Sequence, residues 1–226
     1  MDPLANLIAA SVAFVGSHFA MSHPLRAGLA GRLGAAGFSV VYSLVSLVTF
    51  GWMVLAFRAI PPSAGLWDGS QNLPWGLATL LMLIASVLFA GSFAGNPALP
   101  APGAEALAQK PVRGVFHVTR HPMMWGFALW AVSHALVSPT PRSLVLTGAL
   151  GFLALVGSHL QDRKKEALMG AAWAGWEAKT SYWPKLGGLA KAGIVPWLGG
   201  LVLWLGATWA HIPGNGMAAG IWRWVG

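Results

Sequence analysis

The chain has 226 residues, 56% of them hydrophobic and 9% charged, with a net charge of +8 and a mean hydropathy of +0.62. Soluble domains carry about 25% charged residues, so this composition excludes an ordinary water-facing globule. There is no cysteine, which excludes disulfides, thiolate haem ligation, cysteine-held iron–sulfur clusters, covalent c-type haem and a cysteine nucleophile.

A helix needs about 20 mostly apolar residues to cross a bilayer. The stretches that qualify are Pro3–Met21, Phe38–Ala59, Leu73–Phe93, Met123–Val137, Ser143–His159 and Gly193–His211. They predict an all-α, polytopic transmembrane bundle of about six spans, forming one domain over residues 1–226. The first stretch lacks the basic start of a cleaved signal peptide, so it reads as a retained helix. The Pro-, Gly- and Ala-rich segment Ala94–Thr119 reads as an ordered loop or a re-entrant segment. After the fifth span, the run from Asp162 to Pro184 mixes charges with Leu168, Met169, Trp173 and Trp176 near one helical face, which predicts an amphipathic helix on the inner surface.

Basic residues set the orientation. Arg26 and Arg32 follow the first span. Lys110, Arg113 and Arg120 follow the third, and Arg163, Lys164, Lys165, Lys179, Lys185 and Lys191 follow the fifth. Only Arg58, Arg142 and Arg223 fall on the other side. The positive-inside rule then places both termini outside, in the periplasm for a bacterial plasma membrane. The positive charge reads as a rim facing anionic lipid, and no basic water-soluble domain exists to bind nucleic acid. The 13 tryptophans, among them Trp67, Trp75, Trp173, Trp176, Trp183, Trp222 and Trp224, read mostly as interfacial belts.

Seven histidines outnumber six acids. His18 and His134 lie within spans, where an ionisable residue marks a candidate functional site. Each can also simply hydrogen-bond a neighbouring helix. Two embedded imidazoles on different helices, without cysteine or an embedded acid, suit the axial ligation of haem b. Phe14, Phe127 and Trp130 then supply an aromatic surround. His23 and His117 read as rim residues, and His211 as an outer-edge one. Thr119-Arg120-His121-Pro122 opens the fourth span, and its free N–H groups can bind an anion; the plainer alternative has Arg120 and His121 anchoring the helix at lipid headgroups. Asp162 and Glu166, one turn apart, can both point back to that corner, beside His159.

The run from Val118 to His134 resembles the signature of the NnrU family of bacterial membrane proteins, which includes the plant and cyanobacterial 15-cis-zeta-carotene isomerases. Supporting matches are Ser17-His18, Asp162-Arg-Lys-Lys, Gly170, Trp173, Trp176, Thr180-Ser181 and Pro184, so the likeness is strongest over residues 5–184, before a last helix at about 193–211. The resemblance implies a haem b protein with His18 and His134 as iron ligands. It implies a haem-dependent isomerase-like or denitrification-associated redox role, with a hydrophobic small molecule or a nitrogen oxide as substrate and a redox partner. Arg120, with Lys110 or Arg113, would pair the haem propionates. Opposed helix directions put the two histidines roughly 10 Å apart in depth, which a tilted haem would have to absorb; otherwise His121 or His159 is the better partner for His18. The same Arg-His-Pro helix start followed by acids and aromatics also resembles the isoprenylcysteine carboxyl methyltransferases, which implies S-adenosylmethionine as the alternative cofactor. A non-catalytic haem sensor or electron-transfer helper is the third reading.

Overall fold

The computed structural model describes residues 2–99 and 102–225. Most of the described residues are helical, with no strand among them. In chain order the helices are α1 (Pro3–Ser22), α2 (Arg26–Arg58), α3 (Asn72–Gly91), α4 (Ala104–Gln109), α5 (Pro122–Val137), α6 (Pro141–Met169), α7 (Ala171–Lys179), α8 (Ile194–Trp209), α9 (His211–Asn215) and α10 (Trp222–Val225). Five of them are long and apolar enough to cross a membrane, with α9 continuing the last; α5 is a shorter apolar helix. The chain is therefore a multi-pass membrane protein, and each of the six predicted stretches corresponds to a helix.

Local chemistry sets the helix ends. Asp2 caps α1 by accepting from the Ala5 N–H at 2.9 Å, and Pro3 occupies the first turn. Thr140 and Pro141 open α6 in the same way, and Pro122 opens α5. Proline fits there because its missing N–H would have had no helical partner. α6 stops at Gly170, whose φ of 51° suits a residue without a β-carbon.

The spanning helices pack in the spatial order α2, α1, α6, α5, α3, α8. Small residues let their backbones approach, as in lipid-embedded bundles generally. Gly126 of α5 sits over the Ala85 carbonyl of α3, and Gly151 of α6 over Ala131 of α5. Gly200 of α8 lies so close to α3 that an added β-carbon would meet Val87 Cα at 2.6 Å. Gly200→Ala is therefore expected to cost about 1–3 kcal/mol, read as a lowered thermal midpoint in detergent; an unchanged midpoint would contradict this packing.

Three predicted features differ. First, α2 begins at Arg26 rather than near Phe38 and is broken at Gly34, whose φ is 71°. Second, Ala94–Thr119 holds α4 and a single 3-10 turn, with Phe116 buried. Third, no amphipathic helix starts at Asp162: α6 runs on to Met169, and α7 is packed into the protein. Trp173 and Trp176 are 0% and 2% exposed, and they cluster with Ala98, Ala108 and Phe116. They are core residues, as are Trp75 and Trp204, whereas Trp67, Trp183 and Trp224 are exposed as belt residues would be. The reason is that α4 and the 3-10 turn cover the face that was expected to meet lipid.

Candidate functional site

A cavity of about 610 Å³ lies among α1, α2, α5 and α6, within the size range of small-molecule and cofactor sites. Its aromatic lining combines Phe14 and Phe19 of α1, Tyr42 and Phe50 of α2, and Phe127 and Trp130 of α5. Leu150, Leu153, Ala154 and Gly157 form the α6 side. From Leu150 to Lys164 the cavity follows α6 for roughly 20 Å, from the apolar middle of that helix to its basic end. Gln161, Lys164, Ser22 and His23 line that polar end.

His18 lines this cavity. Its Nδ1–H donates to the Phe14 carbonyl at 2.8 Å, which leaves Nε2 as the lone-pair nitrogen. A hydrogen bond to one ring nitrogen commonly fixes a metal-ligating histidine in this way. The ring is held from two sides, 4.3 Å from Phe14 and 5.4 Å edge-on to Tyr42. Phe14, Phe127 and Trp130 thus join His18 around one space.

His134 does not line the cavity. Its Nδ1–H donates to the Trp130 carbonyl at 2.9 Å, and its ring lies between Trp130, at 4.2 Å, and His211, at 6.1 Å. The depth problem also stands. Phe19 lies beside Gly157 and Ala131 beside Gly151, and His134 is three residues further along α5. His18 and His134 thus differ in depth by roughly 12 Å, because α1 and α5 run in opposite directions and each histidine sits towards its helix's far end. The fallback residues reach the cavity no better: His159 is exposed beside Tyr182, and His121 is held elsewhere. The second cavity-lining histidine is His23, read from sequence as a rim residue; burial, and then the charges of Lys164 and Arg26, push its pKa down. Met124 adds a thioether to the lining.

The Arg-His-Pro corner is a separate, internal structure. His121, 2% exposed, donates from Nε2 to Asp162 Oδ1 at 2.7 Å. Arg120 donates from Nε and a terminal nitrogen to the same carboxylate, at 2.9 and 2.6 Å to Oδ2. Its second partner is Glu177 at 3.1 Å, whose pKa is raised because burial outweighs the neighbouring guanidinium. The Tyr182 carbonyl accepts from Thr119 and Trp125, and its hydroxyl donates to the Leu155 carbonyl at 2.7 Å.

This overturns both sequence readings of the helix start. The anion at the corner is the protein's own Asp162, and neither Arg120 nor His121 is free for headgroups or haem propionates. Glu166 reaches the corner only as a neighbour of Glu177; its own ion pair is with Arg163 at 3.3 Å, and Glu177 is the second carboxylate on Arg120. Glu177 could not be picked from spacing, because Gly170 redirects the chain between α6 and α7. Among the described residues no three His, Asp or Glu side chains gather as a metal-ligand cluster. Searches of the curated proteins and of the solved structures find no match. The family model described as NnrU protein matches residues 6–219, nearly the whole bundle including α8, and the chain therefore belongs to the NnrU family.

Proposed function

We propose that this NnrU protein binds haem b in the cavity among α1, α2, α5 and α6, with His18 as an axial ligand, in a bacterial plasma membrane with both termini periplasmic. The observation that carries the reading is the tautomer of His18: a cavity-lining imidazole whose Nδ1–H is fixed on Phe14, with Nε2 left as the electron-pair donor. The surroundings fit a flat, largely apolar macrocycle with charged carboxylates at one edge, since the walls are aromatic and aliphatic and one end is cationic.

Bound haem would supply an iron centre able to exchange an axial ligand or an electron. The chain's own residues do the rest. Phe14 and Tyr42 hold the His18 ring at its angle. The Phe127, Trp130 and Leu153 walls are apolar and would suit an apolar substrate or a small nitrogen oxide. This supports a haem-dependent isomerase-like or denitrification-associated role.

The visible spectrum of the purified chain tests it. A Soret band with sharp α and β bands on reduction, at about one haem per chain, is expected. A colourless protein that takes up no haemin and instead binds S-adenosylmethionine would overturn it.

A further inference from the structure

The basic end of the cavity is built differently from the basic rim around it. Arg163, Lys164 and Lys165 are consecutive on α6, yet successive residues turn by about 100° and meet three environments. Arg163 is exposed and paired with Glu166. Lys165 is 7% exposed and donates to the Pro97 and Leu99 carbonyls at 2.8 and 3.3 Å. Lys164 lines the cavity and, among the described residues, forms no ion pair.

Arg26, at the start of α2, stands beside that end without lining it: its backbone N–H donates to the carbonyl of the cavity-lining His23 at 3.3 Å, and its charge acts on both Lys164 and His23. It too has no carboxylate partner among the described residues; its guanidinium lies over the Phe38 ring at 5.0 Å. Lys164 in the lining and Arg26 beside it, neither paired with an acid among the described residues, thus stand at one end of a cavity whose other walls are apolar. Like charges brought together in a partly desolvated site repel unless an anion joins them. Lys164 also stands roughly 35 Å along α6 from Pro141, beyond a hydrocarbon core of about 30 Å, so a charged group there can remain near water while its apolar body occupies the cavity.

We infer that Arg26 and Lys164 form a carboxylate-docking end of the cavity, so that its ligand enters with an anionic group toward the basic face and an apolar body toward Phe14, Leu150 and Trp130. The inference rests on the haem reading for the identity of the ligand, whose propionates would then meet Arg26 and Lys164. The carboxylate selectivity itself can be read with other amphiphiles.

The test compares each acid with its neutral ester on the full chain in detergent. One pair is haemin and its dimethyl ester, followed by the Soret band. The other is cis-parinaric acid and its methyl ester, followed by fluorescence. Charge-assisted contacts make each acid bind about tenfold or more tightly than its ester. Arg26→Gln with Lys164→Gln is expected to erase that ratio while leaving ester binding unchanged, and Lys164→Arg is expected to keep it. If the haemin pair does not bind but the parinaric pair shows the Arg26- and Lys164-dependent ratio, the docking end stands and the haem reading falls. If haemin binds but no acid is preferred over its ester, or the preference survives the double substitution, the docking end is overturned and the haem reading stands.

Discussion

Asp162→Ala is expected to destabilise the protein by about 3–5 kcal/mol, the cost of removing one partner from a buried ion pair. Asp162 is 3% exposed and serves two neighbours at once, the Arg120 guanidinium and the His121 imidazole. Without it Arg120 keeps only Glu177, and His121, whose Nδ1 has no partner either, loses its remaining side-chain hydrogen bond. The corner joins the start of α5 to α6 and to the Ser181–Lys185 segment, where the Arg120 N–H donates to the Ser181 carbonyl and the Lys185 N–H to the Val118 carbonyl. Its loss is therefore expected to loosen the whole basic face. Unfolding in detergent measures this. Asp162 does not line the cavity, so the molecules that remain folded are expected to load haem normally. A loss below about 1 kcal/mol would place the pair in the range of exposed surface ion pairs and contradict the buried corner.

Trp173→Ala carries an expected cost of similar size, about 3–5 kcal/mol for a large side chain removed from a closed core. Trp173 is fully buried, and Phe116 meets the neighbouring Trp176 edge-on at 5.5 Å. The indole N–H groups of Trp173 and Trp176 have no acceptor among the described residues, and the bulk of their contribution is area and shape. Trp173→Phe is accordingly expected to recover much of the loss. A tryptophan lying in a lipid interface would behave differently, since its truncation would leave no cavity within the protein. Equal, small effects of Trp173→Ala and of the same change at exposed Trp183 would contradict the core assignment.

The spans were legible because a stretch of apolar residues matched to bilayer thickness has few alternatives, and because proline and threonine mark where α5 and α6 begin. Phe14 was legible beside His18 because it sits one turn before it, whereas Phe127 and Trp130, which lie two turns and one turn before His134, meet His18 only because α6 packs against both α5 and α1. What the sequence concealed depends on long-range packing. Asp162 was legible as a partner of Arg120 and His121, 42 and 41 residues away, but the choice of Glu177 rather than Glu166 as the second partner of Arg120 was not. Trp173 and Trp176 read as interfacial until α4 covers them. Lys164 is indistinguishable from its neighbours Arg163 and Lys165 until the helix turns it into the cavity. The pairing of His18 with His134 came from their place within spans and from the family resemblance; the depth difference between two opposed helices was already legible, whereas the absence of His134 from the cavity lining was not.

Substituting the two histidines tests the central assignment most directly. Wild type, His18→Ala and His134→Ala are loaded with haemin and compared by visible spectroscopy with and without added imidazole. His18→Ala is expected to lose the imidazole-ligated spectrum and regain it with imidazole, while His134→Ala matches wild type. A His18→Ala protein with an unchanged spectrum, or loss of ligation in His134→Ala alone, would contradict it.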